Sequence, residues 1–250
     1  MHRFYLPPEE CRELRLVLRD TEAHHARHVL RLGRGERVTV LDGAGHEYFC
    51  DVRESGKDTV VLEVMEKKFT PPLPWQITLL QAVPKGKIIE SIIQKATELG
   101  AHRIVPLLSE RVTTQLDAGD AQAKAEKWRG TALEAIKQCG SAWLPQVEAP
   151  LTPAAFLARG EKFDLALIGS LEEKRRQPRV YFEDFFAAHG CLPKLLALWV
   201  GPEGDFTRAE IEAAQAAGAR PVTLGRLVLR SETAAVYGLS VLNHELQARL

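Results

Sequence analysis

The chain has 250 residues, of which 45% are hydrophobic and 26% are charged, the composition of an ordinary water-soluble globular protein. Basic and acidic residues balance to a formal net charge of +0, so only a local basic patch could favour a nucleic-acid partner. The four cysteines are scattered without a Cys-x-x-Cys pair, which favours a reduced, cytoplasmic protein over a disulfide framework. No apolar run is long enough to span a membrane, and the charged N-terminal stretch is unlike a signal peptide.

Residues 1–70 predict a small β-rich domain. Short runs rich in Val, Tyr and Phe are separated by glycine turns and predict strands at 14–18, 36–41, 46–52 and 59–64. Residues 21–30 predict a helix with Thr21 as its N-cap and Gly33 as its stop. Strands at this spacing favour a compact barrel or sandwich. The prolines within residues 70–74 interrupt both helix and sheet, and we place the domain boundary there.

Residues 75–250 predict a second domain in which strands and helices alternate. Apolar runs at 76–83, 103–108, 163–168, 195–200 and 222–224 are strand-like, and amphipathic patterns lie between several of them. The pair Thr207 and Glu210 has the spacing of a helix capping box. Alternation of this kind predicts an α/β fold with a largely parallel sheet.

The stretch from 195 to 235 predicts the functional site. Two of its strand-like runs end at glycine turns, and in open α/β sheets ligands bind beyond the carboxyl ends of the strands. The turn Gly201-Pro202-Glu203-Gly204 is either such a ligand loop or a plain strand-to-helix connection. The chain lacks dinucleotide-binding and phosphate-loop glycine patterns, a Gly-x-Ser-x-Gly elbow and a His-Glu-x-x-His pair, which excludes several common enzyme classes.

Arg230 and Glu232 flank the predicted start of the last helix. An acidic residue is favoured there, whereas an arginine opposes the helix dipole. Arg230 therefore either faces an anionic partner, such as a phosphate or a developing oxyanion, or pairs with Glu232 on the surface.

Several basic side chains are candidates for phosphate contact. His24, His25 and His28 accompany Arg31 on the first predicted helix, and Lys85 and Lys87 precede the next one. The spacing of His24 and His28 suits a metal, but no further ligand accompanies them, so we predict no metal site. The lysines are equally compatible with a solvated strand end.

Ordered motifs along nearly the whole chain resemble the RsmE family of 16S ribosomal RNA uridine-N3 methyltransferases, within the SPOUT superfamily. The motifs are His25-x-x-His28-Val29-Leu30-Arg31-Leu32, Asp42-Gly43-x-Gly45, Lys85-Gly86, Gln94-Lys95-Ala96-Thr97-Glu98-Leu99-Gly100, Pro106-Leu107-x-Ser109-Glu110-Arg111, Lys127-Trp128-Arg129, Glu134-Ala135, Gln138-Cys139-Gly140, Gly201-Pro202-Glu203-Gly204 and Leu229-Arg230-x-Glu232-Thr233-Ala234.

The resemblance implies an N-terminal PUA-like β-barrel that binds RNA and a C-terminal SPOUT α/β domain with a parallel sheet and a trefoil knot. It implies a homodimer that acts on 16S ribosomal RNA of the small ribosomal subunit. It also implies S-adenosylmethionine (SAM) as cofactor, held by the loops that carry Ile168, Val200, Gly201, Glu203, Gly204, Leu224, Gly225 and Leu229.

For the reaction we expect Arg230 to stabilise charge on the uracil oxygens while Glu232 accepts the N3 proton or orients Arg230. For RNA contact we expect a set of basic side chains from both domains: Arg3, His25, Arg31, Lys85, Lys87 and Arg111.

The chain departs from the family pattern at Ser141 and Leu227, where arginine is usual, and at Asp205, where a second glycine is frequent. These departures leave two rival readings open. One is a non-catalytic ribosome-assembly or RNA-binding factor, and the other is a SPOUT enzyme that methylates a ribose 2′-hydroxyl.

Overall fold

The computed structural model describes residues 1–112, 118–171 and 174–248, with the side chains of residues 118 and 119 left out. Its backbone forms two compact units. The first contains Met1–Pro72 together with Leu133–Leu144, and the second contains Leu73–Ala132 and Pro145–Leu250. Within these residues no helix is long and apolar enough to cross a membrane. The division into domains at 1–70 and 75–250 stays a prediction, and it did not foresee that residues 133–144 pack with the first unit.

The first unit is built on one sheet of five strands in the order β1-β3-β4-β5-β2. The strands are β1 (His2–Tyr5), β2 (Arg15–Leu18), β3 (Arg37–Leu41), β4 (His46–Ser55) and β5 (Val60–Phe69). Strands β1 and β3 are parallel and the other pairs are antiparallel. Two register shifts along β4 and β5 bend the sheet, because a bulge adds twist locally.

The barrel-like β-domain predicted for this part of the chain is confirmed, in the form of a half-barrel. The edge strands β1 and β2 pair only with β3 and β5 among the described residues, so the sheet stays open. Its inward side chains, including Phe4, Leu16, Val40 and Leu62, form a continuous buried core. The alternation of apolar and polar residues supplies this core because neighbouring strand residues point to opposite faces.

The helix of the first unit differs from its prediction at both ends. Helix α1 (Asp20–His24) is capped by Arg19 rather than Thr21, and it continues as a π-helical turn through Val29. The helical segment ends before Gly33, at Arg31, whose φ of +56° lies in the left-handed region.

The second unit holds a six-stranded sheet in the order β11-β9-β10-β6-β7-β8, and all of its strand pairs are parallel. The strands are β6 (Gln76–Ala82), β7 (Arg103–Leu107), β8 (Gln146–Val147), β9 (Leu165–Gly169), β10 (Leu195–Val200) and β11 (Arg220–Val222). The helices are α2 (Ile88–Glu98), α3 (Ala118–Cys139), α4 (Pro153–Leu157), α5 (Pro178–His189), α6 (Arg208–Ala216) and α7 (Ser231–Gln247), of which α3 begins in this unit and ends in the first.

The parallel α/β fold predicted for this part of the chain is confirmed. One strand is misplaced, because the predicted run 222–224 is the end of β11 and the start of a loop. The strand stops at Val222, where the Thr223 hydroxyl turns to hydrogen-bond Gly225. The capping box of α6 is present as predicted, with the Thr207 and Glu210 side chains each bonding the other's backbone.

Candidate functional site

A cleft opens beyond the carboxyl ends of β9, β10 and β11, where parallel strands present their last residues side by side. Its walls combine apolar side chains with a few polar groups. Six of the eight residues predicted to hold a cofactor line it: Val200, Gly201, Glu203, Leu224, Gly225 and Leu229. The other two do not, because Ile168 is buried in the core behind the cleft and Gly204 packs against Arg111.

Two loops border this cleft, and we call them the first cleft loop (residues 201–206) and the second cleft loop (residues 223–230). The first follows β10 and leads into α6, and the second follows β11 and leads into α7. Both coincide with the turns predicted from glycine positions.

The first cleft loop turns tightly around Gly201. The backbone N–H of Asp205 donates to the Pro202 carbonyl at 2.9 Å. A methyl group at Gly201 would lie 2.8 Å from Asp205 Oδ1 and 3.2 Å from the Phe206 nitrogen, so the turn requires glycine here. Asp205 takes a φ of +61°, a conformation that aspartate adopts more readily than most residues.

The same loop is tied to the segments that follow β6 and β7. The Lys85 backbone N–H donates to Glu203 Oε1 at 3.1 Å, and Arg111 donates from its guanidinium to the carbonyls of Gly204 and Phe206. Two residues that are far from the loop in the chain, Lys85 and Arg111, thus hold this short turn in a fixed shape.

A buried polar chain that sequence patterns did not reveal holds the other side of Gly201. Ser231, the first residue of α7, is 4% exposed and donates its hydroxyl to the Gly201 carbonyl at 2.7 Å. Gln81, on β6, is 0% exposed and donates from Nε2 to the Ser231 oxygen at 2.9 Å and to the Ala82 carbonyl at 2.8 Å. A glutamine in an apolar strand could have drawn attention, because a buried amide requires partners.

Arg230 and Glu232 flank Ser231 at the start of α7, as the sequence predicted. Arg230 is exposed and Glu232 is half-buried, and neither lines the cleft itself. Within residues 1–112, 118–171 and 174–248 no ion pair joins these two side chains. Arg230 is the N-cap residue of α7, a position at which a positive charge opposes the helix dipole.

The second cleft loop presents apolar side chains to solvent. Leu227 is 80% exposed and Val228 is 77% exposed, although both also line the cleft. Leu227 is the position at which arginine is usual in the resembled family.

The residues predicted to contact RNA have different local roles. In the first unit, Arg3 donates to the carbonyls of Lys137 and Gln138 at the end of α3, His25 packs edge-on against Phe4, and Arg31 is exposed. In the second unit, Arg111 is bonded to the first cleft loop, whereas the side chains of Lys85 and Lys87 are exposed.

Two further sequence features have local structural explanations. The His24 and His28 rings lie 4.8 Å apart between centroids, and no group of three metal-ligating side chains occurs among the described residues. Ser141 donates its hydroxyl to the Trp143 carbonyl at 2.9 Å and accepts from the Trp143 N–H, so it shapes a turn in the first unit.

Comparison with known proteins places this chain in a known group. A model described as an RNA methyltransferase domain matches residues 71–243, and one described as an RNA methyltransferase PUA domain matches residues 18–65. The ribosomal RNA small subunit methyltransferase E of Synechocystis is 34% identical over 99% of this chain and 78% of its own length.

Two solved structures are similar over nearly their full length. A Legionella pneumophila structure with the cofactor SAM bound has a TM-score of 0.86 and 32% identity, covering 99% of this chain and 97% of its own. A ribosomal RNA small subunit methyltransferase E from Neisseria gonorrhoeae, bound to S-adenosyl methionine, has a TM-score of 0.84 and 27% identity, covering 98% and 97%.

Proposed function

The chain belongs to the ribosomal RNA small subunit methyltransferase E family, and on this premise we propose that it transfers the methyl group of SAM to N3 of a uridine in 16S ribosomal RNA. The observation that carries the proposal is the cleft beyond β9, β10 and β11, whose wall includes Ser231 between Arg230 and Glu232. The wall of the cleft and the two charged residues on either side of Ser231 therefore belong to the start of one helix.

The residues of the cleft suit the chemistry of SAM. The apolar side chains of Val200, Leu224 and Leu229 can cover the flat adenine, and Gly201 and Gly225 let the backbone approach it. The exposed carboxylate of Glu203 can accept from ribose hydroxyls or face the positive sulfonium. Ile168 supports these loops from the core, and Gly204 lets the first cleft loop pack against Arg111. When bound, SAM supplies an electrophilic methyl group.

Arg230 and Glu232 supply the polar part of the mechanism. The imide proton at N3 of uracil must leave before the nitrogen can attack a methyl group, and negative charge then builds on the uracil oxygens. The Arg230 guanidinium stabilises that charge, because it has no ion-pair partner among the described residues. Glu232 either accepts the proton or orients Arg230, and the remaining acceleration comes from alignment of the base with the methyl donor.

RNA is held by exposed basic side chains. Arg31 and Lys87 support this part of the proposal best, because both are exposed and neither forms an ion pair with the residues that the structure describes. His25 and Lys85 lie beside them in the sequence, while Arg3 and Arg111 also serve as hydrogen-bond donors to backbone. Affinity for 16S ribosomal RNA is expected to fall with salt, with a shallower slope in Arg31→Ala and Lys87→Ala. An affinity that is flat in salt would contradict this contact set.

We place the enzyme in the cytoplasm as a homodimer with a knotted second domain, as the family resemblance implies. The four cysteines are free thiols, which suits a reducing compartment. Leu227, Val228 and Tyr237 expose apolar surface of the second unit, which is available for a second copy. Light scattering of the purified protein measures whether it is dimeric.

The reaction is tested with small ribosomal subunits that lack the modification. Transfer of a labelled methyl group followed by nucleoside analysis should yield 3-methyluridine. Arg230→Ala should lower turnover by about a hundredfold or more, and Glu232→Gln by about tenfold, while SAM affinity measured by calorimetry stays near that of the wild type. Arg226→Ala removes another exposed arginine of the second cleft loop and serves as the matched control.

The possible results separate the readings. A product methylated on the ribose would identify a 2′-O-methyltransferase. A protein that binds RNA but has no affinity for SAM would be an assembly factor. Wild-type turnover in both Arg230→Ala and Glu232→Gln would refute the catalytic assignment.

A further inference from the structure

Gln81 and Ser231 form a directed chain of hydrogen bonds beneath the cleft. The Gln81 amide can donate two hydrogens, and both are used, toward the Ala82 carbonyl and the Ser231 oxygen. A hydroxyl has a single hydrogen, and that of Ser231 goes to the Gly201 carbonyl. The chain therefore runs in one direction, from the strand β6 through the first residue of α7 to the first residue of the first cleft loop.

The orientation of the Gln81 amide leaves its oxygen unsatisfied while both of its hydrogens are bonded. Gln81 Oε1 is buried and has no hydrogen-bond partner among the described residues. A flipped amide would set its oxygen against the Ala82 carbonyl and would draw the Ser231 hydrogen away from Gly201. An unpartnered buried acceptor is unfavourable, so the two donor bonds outweigh it.

The chain connects the two parts of the proposed active site. Gly201 lines the cleft, and Ser231 is the residue between Arg230 and Glu232. Because the three groups are hydrogen-bonded in series and the side chains of Gln81 and Ser231 are nearly free of solvent, a shift of the α7 N-terminus relative to the first cleft loop must break a bond.

We propose that Gln81 and Ser231 are positioning residues that fix the start of α7, and with it Arg230 and Glu232, against the first cleft loop. This inference rests on the proposed methyl transfer. It assigns neither residue a contact with the substrate. Their role is to set the register between the loop that holds the methyl donor and the helix end that carries the charged groups.

The proposal predicts a selective loss of turnover. Ser231→Ala leaves the Gly201 carbonyl and one Gln81 hydrogen without partners, and we expect kcat to fall about tenfold at saturating SAM and RNA. The Kd for SAM should rise less than about threefold, because the other bonds of the first cleft loop remain. Ser231→Thr keeps the hydroxyl and should restore most of kcat. Ser240→Ala removes an exposed hydroxyl that bonds the Val236 carbonyl of the same helix, and it serves as the control.

A second variant separates positioning from simple destabilisation. Gln81→Met keeps the length of the side chain and removes both donors, and it should lower kcat to a similar extent. Residues that act as one chain are not additive, so the double variant should be no slower than the slower single variant by more than about twofold. The inference would be overturned if the fold losses in kcat of the two single variants multiplied in the double variant. A Ser231→Ala enzyme with wild-type kcat would also overturn it.

Amide hydrogen exchange tests the same point without turnover. Ser231→Ala should speed exchange in residues 201–206 and in the first turn of α7, and Ser231→Thr and Ser240→Ala should not. If the wild-type protein methylates no RNA, the proposed function fails, and unchanged exchange in Ser231→Ala would separately refute the positioning role.

Discussion

The two cleft loops differ in how they are held. The first has hydrogen bonds from Lys85, Arg111 and Ser231, and its own turn is closed by Asp205. In the second, residues 226–229 have no hydrogen bond to the rest of the described chain, and two of them expose large apolar side chains.

This contrast indicates a division of work across the cleft. A loop with several long-range bonds keeps its shape before a ligand arrives, which lowers the cost of ordering on binding. A loop with exposed backbone and few buried contacts lies at the less stable end of the local unfolding spectrum, and it can adapt to a ligand or a partner. The first cleft loop thus presents a preformed surface, whereas residues 226–229 of the second lack, within the described chain, the long-range bonds that would fix their shape.

The largest effect is expected from a methyl group in the first cleft loop. Gly201→Ala places a Cβ 2.8 Å from Asp205 Oδ1, which also accepts the Phe206 N–H, so the turn must open. We expect the Kd for SAM, measured by calorimetry, to rise by about thirtyfold or more. Gly204→Ala is the matched control, since its Cβ would lie 3.5 Å from Arg111 Cδ, an ordinary contact. Equal Kd values for the two variants would remove the special role of Gly201.

A smaller effect is expected where one bonded side chain is removed. Arg111→Ala deletes the donors to the Gly204 and Phe206 carbonyls, and the Kd for SAM should rise about fivefold in the absence of RNA. Arg111→Lys keeps the charge and loses the planar fork, so it should resemble alanine in SAM binding. If Arg111→Lys binds SAM as tightly as the wild type, the positive charge alone accounts for the effect of Arg111.

A variant that changes stability outside both cleft loops tests whether SAM affinity depends on the stability of the whole protein. Hydrogen bonding from Arg103 holds the pKa of Glu161 below its usual value. The stability that this carboxylate contributes is complete above about pH 4.5, the ordinary pKa of the group, and is lost as the pH falls through its lowered value. Glu161→Gln should therefore lower the urea midpoint at pH 7 and flatten its decline in acid, while the Kd for SAM at pH 7 stays unchanged. A changed Kd would mean that cofactor affinity simply follows stability.

The smallest effect is expected in the second cleft loop. Leu227→Ala removes a side chain that is 80% exposed, and the free energy of unfolding should change by less than about 0.5 kcal/mol. Leu198→Ala, in the buried centre of β10, should cost about 2–5 kcal/mol in the same urea titration. A loss above about 1 kcal/mol for Leu227→Ala would show that the second cleft loop is packed in solution.

Local signals explain which parts of the site were predictable. Gly201 and Gly225 mark turns, and the Thr207–Glu210 spacing marks a helix start, because each depends only on neighbouring residues. The start of α7 at Ser231 was predictable for the same reason.

The features that the sequence did not predict depend on contacts between residues far apart in the chain. The edge strand His2–Tyr5 was not predicted, because it is formed by pairing with β3, which is distant in sequence. The order of the strands, which leaves the first sheet open, likewise depends on pairings between distant segments. The bond between Gln81 and Ser231 joins residues 150 positions apart, and no periodic pattern encodes it.

The backbone conformation of Asp205 also determines which amino acids can replace one another at this position of the first cleft loop during evolution. A glycine at a positive φ avoids strain but gives the unfolded chain more conformations, whereas an aspartate reverses both effects. At Asp205 the side chain also accepts the Phe206 N–H at 2.8 Å, which offsets part of the strain. The opposing contributions are each about 1 kcal/mol, so glycine and aspartate can replace one another here with little net change in stability. Exchange between these two residues at position 205 is therefore expected to be nearly neutral for stability.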